Sequence, residues 1–288
     1  MTRRVVIHVD DLGMSHGANR AFVELSALET VTSGSVMVPC PWFPELAAMA
    51  RADTSLDVGV HLTLTSEVAG YRWRPLTRPS ASAGLTDALG FFHPDIPTLR
   101  VQAHPDAVEA ELRAQIEMAI EAGIDVTHLD DHMGAVLAPE FVSVYVRVAA
   151  DYRFPLLMCP TLATYGGPHN MIGITEEAFA PGVAAARAAG FAIFDRIVET
   201  EWSVADDPAK KCRAMFEGLL PGLSFLAIHP TVPGEIEAID PAFHTVRSNE
   251  YAVLRSSDHR EWIAAQGFSL SGMRSFREDF RARTTLRM

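Results

Sequence analysis

Short apolar runs recur along the chain, each followed by a stretch in which apolar positions return every three to four residues. Uninterrupted apolar runs suit parallel strands covered on both faces, and the helical period marks the segments that cover them. The runs predict strands at 5–9, 31–38, 57–64, 125–130, 156–159, 192–198 and 223–229. Helices are predicted over 16–28, 43–52, 105–122, 139–152, 176–189 and 208–218, with two or three more after residue 245. Pro105-Asp106 and Pro139-Glu140 supply helix starts, and Gly123 and Gly190 supply stops. Repeated strand-then-helix units in 288 residues favour an α/β fold, a distorted TIM-like (β/α) barrel of about seven parallel strands, over an open doubly wound sheet. No G-x-G-x-x-G or P-loop pattern follows the first strand, which weakens a nucleotide-binding reading.

One segment breaks the alternation. Residues 66–104, rich in Pro, Ser and Gly and carrying Tyr71, Trp73, Phe91 and Phe92, form a connection of unusual length for a compact domain. Aromatic residues suit a pocket wall or a sugar-stacking surface better than a disordered linker, so the segment is read as a lid-like insertion. From residue 274 onward five arginines face two acids, which reads as a solvated terminal helix.

Composition narrows the function. With 48% hydrophobic and 21% charged residues the chain packs a globular core. A net charge of −12 argues against nucleic acid or an anionic membrane as partner, because phosphates are bound chiefly through Lys and Arg. Cys40, Cys159 and Cys212 form no C-x-x-C pair, so neither a disulfide framework nor a cysteine metal site is expected, and a reducing cytoplasm fits best. No apolar run has the length of a signal peptide or a membrane span. A small uncharged substrate is the expected partner, and a homodimer stays open.

The candidate chemistry gathers at strand ends, where catalytic groups of a parallel barrel assemble. Asp10-Asp11 closes the first strand, and Gly13 allows a tight turn behind it. His61 lies near the end of the strand at 57–64. Thr127-His128-Leu129-Asp130-Asp131-His132 is the densest signal; period-two alternation points His128, Asp130 and His132 to one side. His229-Pro230 closes the last strand. Each has a bland alternative: a helix-capping acid, a hydrogen-bonded core histidine, or a polar loop. His16, His93, His104, His169, His244 and His259 show no such placement. Together, one aspartate and two histidines can hold a divalent ion with positions open for water and substrate, leaving a second carboxylate and a further histidine as base and acid. That constellation suits metal-assisted hydrolysis.

The chain resembles the YdjC/ChbG carbohydrate deacetylases. Val9-Asp10-Asp11-Leu12-Gly13-Met14-Ser15 matches the family's A-D-D-F-G-L-S, and the likeness continues through Asn19 and Val31-Thr32-Ser33. It resumes at Gly59-Val60-His61-Leu62, at Leu85-Thr86-Asp87 with Gly90-Phe91, at Thr127-His128-Leu129-Asp130-Asp131-His132, and at His229-Pro230. The resemblance implies a distorted barrel that removes an acetyl group from an N-acetylated amino sugar using a divalent metal, Mg or Zn. It implies Asp11, His61 and His132 as metal ligands, Asp10 as general base, His229 as general acid, and His128 and Asp130 as supporting residues. Many members continue the fourth motif with further alternating histidines, where this chain has Met133-Gly134-Ala135; that departure, with Asp131, bears on which sugar is taken.

Residues from position 10 to position 229 must then meet at one rim, so a single barrel over 1–288 is expected, with the insertion at about 66–104. Other readings stay open. A metal-dependent phosphoesterase on a similar barrel would gather Lys or Arg around the phosphate. A metal-using sugar isomerase would need more carboxylate ligands and a catalytic base, whereas the two lysines, Lys210 and Lys211, sit side by side on one helix. A non-catalytic sugar-binding barrel would have no need of Asp10 and His229.

Overall fold

A computed structural model describes residues 2–165 and 173–285; His169 lies outside them. Six strands form one parallel sheet: β1 (Arg3–Leu12), β2 (Ser33–Val36), β3 (Val58–Leu62), β4 (Leu129–Asp131), β5 (Arg196–Glu199) and β6 (Gly222–Ile228). Their order is β4-β3-β2-β1-β6-β5, and a two-residue strand, β7 (Ser269–Leu270), pairs in parallel with the start of β1. β1 sits at the centre and holds unbroken register with β6 from Arg3↔Gly222 to Val9↔Ile228. Val5, Val6 and Ile7 are fully buried, as a strand covered on both faces requires.

The run at 156–159 was expected to be a strand and is reduced to one parallel bridge, Leu129↔Leu156. Pro155 and Pro160 bracket it and remove ladder donors at both ends. The connection survives in single bonds. Leu129 donates to the Pro155 carbonyl at 2.9 Å, Leu157 to Leu129 at 3.0 Å, and Phe194 to Met158 at 2.9 Å. These link β4 to the residues just before β5, so the curled sheet is a distorted barrel with one thin wall.

Each helix predicted up to residue 218 forms, with ends shifted by three residues or fewer: His16–Ala27, Phe43–Ala52, Pro105–Glu121, Val142–Tyr152, Glu176–Ala188 and Pro208–Glu217. Four follow, the short Ile236–Ile239 and then His244–Leu254, Ser257–Ala265 and Met273–Thr285. Helix His16–Ala27 is capped by Ser15, whose hydroxyl accepts from Ala18 N–H at 3.0 Å.

The segment 66–104 contains a helix, Ile96–Gln102, that the composition conceals. Its local signals are ordinary: Asp95 accepts from Thr98 N–H at 2.7 Å, and Pro97 occupies the first turn. The segment packs on the barrel. Trp73 and Phe92 are buried, Trp73 donating its indole N–H to Thr65 O at 2.7 Å. Glu111, on helix Pro105–Glu121, accepts from Leu76 N–H, Thr77 N–H and the Thr77 hydroxyl.

Alternation along the strands sorts the core into an outer and an inner set. Val5, Ile7, Val9, Leu226 and Ile228 pack outward against the helices, while Val6, Phe225 and Ala227 join Phe194, Met273 and Phe276 in a smaller inner cluster. Above this apolar plug lies a polar layer of His8, Ser33, Ser35, His128 and Asp130, all buried. The His8 ring rests 4.7 Å from that of Phe225. The next layer toward the strand ends holds the candidate site.

Candidate active site

Neighbouring residues on a strand point to opposite faces, so Asp10 and Asp11 should not reach one cleft. They do because the chain kinks. Asp11 has φ of 61°, in the left-handed region, and the pairing of β1 with β2 shifts register between Val9 and Leu12. Gly13 follows at φ 82°, and its N–H is held by Asn19 Oδ1 at 2.8 Å.

Asp11, His61 and His132 converge with one ligand atom each within 4.8 Å of the others. Asp11 Oδ1 lies 3.2 Å from His132 Nδ1 and 3.6 Å from His61 Nε2. All three side chains are buried, and Asp11 Oδ1 has no hydrogen-bond partner. An orphaned carboxylate oxygen between two imidazole nitrogens is what a cation would satisfy, so these residues fit a divalent ion.

The ring of His61 is held from behind. Its Nδ1 lies 3.0 Å from Ser35 Oγ and 3.2 Å from Asp130 Oδ1, and Ser35 donates to Asp130 Oδ2 at 2.8 Å. A carboxylate at the far nitrogen of an imidazole fixes which nitrogen faces the cation. His128 lies deeper, its Nδ1 2.9 Å from Thr127 Oγ and its ring 4.9 Å from that of His8. It packs where a Cβ on Gly59 would come within 2.4 Å of the ring.

His8, which sequence reading passed over inside an apolar run, joins the two layers. Its Nε2 is 3.0 Å from Asp130 Oδ2 and 3.4 Å from Asp10 Oδ1. Glu67 was missed as well; it lies 2.8 Å from His132 Nε2. So was Arg247, which donates from Nη1 to Asp11 Oδ2 at 2.8 Å and from Nε to Asp240 at 3.0 Å.

The two adjacent aspartates differ in charge preference. Burial and the carboxylates of Asp130, Asp11 and Glu199 push the Asp10 carboxyl well above the usual range. Burial works the same way on Asp11, but the Arg247 guanidinium with His132 and His229 holds it well below. Burial opposes protonation of His132, yet Glu67 and Asp11 push it up to about 10, the mark of a site that attracts positive charge. Burial pushes His229 down to about 3, with Arg247 acting in the same direction.

His229 Nε2 lies 3.7 Å from Asp10 Oδ2 and 4.0 Å from Asp11 Oδ2. Its Nδ1 is 2.8 Å from the hydroxyl of Thr200, which donates to Glu250 Oε1 at 2.7 Å. Burial raises Glu250 to about 7. Trp202 covers the His229 ring at 4.6 Å, and Arg247 lies over Trp202 at 5.0 Å. These groups open onto a cleft of about 950 Å³ walled by Tyr165, Trp202 and Phe243. Of the 66–104 segment, Glu67, Val68 and Ala69 line it.

Every site residue expected from the sequence therefore stands at or directly beneath one rim. The model of the YdjC-like protein family matches residues 4–265. The chain belongs to this family. A carbohydrate deacetylase of Thermus thermophilus is 40% identical over 166 residues, 58% of this chain and 57% of that protein, so the match spans little over half of the relative. A carbohydrate deacetylase of Brevibacillus brevis is 26% identical over 281 residues, 93% of this chain and 97% of that protein. Among solved structures, a protein of Enterococcus faecalis provisionally assigned to cellobiose-phosphate cleavage superposes with a TM-score of 0.76 at 20% identity. It covers 96% of this chain and 99% of its own, which shows that this YdjC-like chain shares its fold. No described helix is long and apolar enough to cross a membrane.

Proposed function

We propose that the protein is a metal-dependent carbohydrate deacetylase that hydrolyses the acetamide of an N-acetylated amino sugar. The observation that carries this reading is the convergence of Asp10, Asp11, His61, His132 and His229 from four strand ends on one cleft floor, with an unpartnered carboxylate oxygen at its centre. Two relatives named carbohydrate deacetylases support it.

In this reading Asp11, His61 and His132 hold a divalent ion, and the mixed N,O donor set favours zinc over magnesium. When bound, that ion acidifies water and polarises a carbonyl oxygen. Asp10 takes a proton from the attacking water; its raised proton affinity suits a base working near neutral pH. The hydroxyl adds to the acetamide carbon. His229, whose Nε2 faces Asp10, protonates the departing nitrogen, which leaves poorly as an anion. Burial raises the proton affinity of the carboxyl and lowers that of the imidazole, so an imidazolium formed at His229 gives up its proton readily. Acetate and a free amino sugar result. Trp202, Tyr165 and Phe243 offer apolar faces for the sugar ring.

The phosphoesterase alternative fares worse. Among the described residues lining the cleft, Arg247 is the only lysine or arginine, and it is engaged by Asp11 and Asp240. The retained pair of Asp10 and His229 speaks against a non-catalytic barrel. Three free, buried cysteines support a reducing cytoplasmic setting. The test is acetate release from N-acetylated mono- and oligosaccharides with added Mg or Zn, run beside phosphate release from sugar phosphates. Phosphate release without acetate would overturn the reading, and anomalous scattering at the zinc edge identifies the ion.

A further inference from the structure

We propose that Thr200 and Glu250 are positioning residues that set the tautomer and ring orientation of His229, making Nε2 the atom that serves the cleft. The inference rests on the deacetylase reading above for its kinetic consequence, and on geometry alone for its structural one.

Thr200 directly follows β5 and is buried. Its hydroxyl lies between two partners, 2.8 Å from His229 Nδ1 and 2.7 Å from Glu250 Oε1. A hydroxyl has one proton, and at pH 8, above the value of about 7 to which burial raises Glu250, its ionised carboxylate offers only lone pairs. The proton therefore goes to Glu250, and the Thr200 oxygen accepts from His229 Nδ1–H. With Nδ1 protonated, the neutral ring has its lone pair on Nε2, the nitrogen that faces Asp10 at 3.7 Å.

Glu250 does more than anchor the hydroxyl. Its Oε2 accepts the backbone N–H of His229 at 2.8 Å, so one carboxylate holds both the main chain of His229 and, through Thr200, its ring. Trp202 closes the open face of that ring. Glu250 stands on helix His244–Leu254, one turn from Arg247, which binds Asp11. One helix thus orients groups on both sides of the base: Asp11 through Arg247, and His229 through Glu250 and Thr200. Neither Thr200 nor Glu250 has a part in bond making; they act through His229.

The test compares wild type with Thr200→Val, which keeps the shape and loses the hydroxyl, and with Thr200→Ser, which keeps the hydroxyl. Long-range proton–nitrogen spectra of histidine-labelled protein at pH 8, with His229 assigned by its loss in His229→Gln, report the tautomer directly. Wild type and Thr200→Ser are expected to be protonated at Nδ1, and Thr200→Val to shift toward Nε2. With the N-acetylated sugar that wild type cleaves fastest, Thr200→Val should lower kcat at least about tenfold with KM within about twofold, while Thr200→Ser recovers activity to within about threefold. A wild-type ring protonated at Nε2 overturns the inference whether or not the valine variant folds, as does a Thr200→Val protein with unchanged tautomer and kcat. If wild type releases no acetate from any sugar, the deacetylase reading fails while the tautomer result still judges this one.

Discussion

The adjacent aspartates are assigned different work, and a pair of isosteric variants separates them. Asp11→Asn replaces the oxygen that lies 3.2 Å and 3.6 Å from two imidazole nitrogens, so the amide can satisfy either Arg247 or the ion but not both. Asp10→Asn leaves Asp11, His61 and His132 in place and removes only the proposed proton acceptor. A ligand that binds the folded state alone stabilises it by about 2.7 kcal/mol at a free concentration of one hundred times Kd. For 288 residues the unfolding entropy near 60 °C is about 0.6 kcal/mol per kelvin, so saturating metal should raise the melting midpoint of wild type by about 4–5 °C. Asp10→Asn should keep that shift. Asp11→Asn should lose it. Acetate release should fall in both; for Asp10→Asn the loss of a general base is worth about 10²–10⁴ in kcat, or roughly 3–5 kcal/mol of barrier. The measurement is scanning fluorimetry with and without chelator beside an acetate assay. An Asp10→Asn protein that loses the metal-dependent shift, or that keeps wild-type turnover, would refute the division of labour.

Three further outcomes are expected. Among its described lining residues the cleft carries Asp10, Glu67, Glu199, Glu201 and Asp240 against one engaged arginine, so a phosphate on the sugar should lower kcat/KM at least about tenfold, less so at high salt; equal rates at low salt would sink the charge argument. Burial pushes His259 down to about 4, below its value of about 6.5 in the unfolded chain. The neutral ring therefore costs nothing above pH 6.5, and the folded state loses at most about 1.4 kcal/mol per pH unit between 6.5 and 4. His259→Phe should flatten that part of the stability–pH curve, and superimposable curves would contradict it. Gly59→Ala would place a Cβ 2.4 Å from the His128 ring, which is packed against His8, and should cost about 1–3 kcal/mol by thermal melting; an unchanged midpoint would show that the ring can move aside.

Much of this arrangement is legible in the chain because a parallel barrel ties function to position. An apolar run that ends in Asp10-Asp11, His61, His132 or His229 announces its place at the rim without any knowledge of the partner strands. What escaped reading had the opposite character. His8 lies inside a run whose neighbours are apolar, so nothing local separates it from a structural core histidine. Thr200 and Asp240 sit beyond element ends and Arg247 and Glu250 on a late helix, all in unremarkable surroundings; only the docking of helix His244–Leu254 brings Arg247 to Asp11 and Glu250 to His229. Helix Ile96–Gln102 was hidden for a different reason, since a Pro- and Ser-rich neighbourhood outweighs one good cap. The expected strand at 156–159 failed on the prolines that bracket it, which the apolar pattern alone does not weigh.

The doublet at the end of β1 shows how a local rule is broken to make a site. A regular strand could have presented Asp10 or Asp11 to the cleft, but not both. The left-handed turn at Asp11 costs on the order of 1 kcal/mol for a residue that is not glycine. It also returns Leu12 to the fully buried outer core, so the kink redirects one side chain without exposing the next. Asn19 holds the turn by accepting from Gly13 N–H and donating to Trp42 O at 3.0 Å and to Glu45 at 2.9 Å. Arg247 holds it from the other side through Asp11 itself. The strain is therefore kept by two independent anchors, one on the first helix and one on a helix more than two hundred residues later in the chain. Such a firm clamp suits the proposed mechanism, in which one carboxylate stays ionised and the other accepts a proton while their backbones are adjacent. Separate partners for each, Arg247 for Asp11 and the buried carboxylate neighbourhood for Asp10, are what allow neighbouring identical side chains to differ.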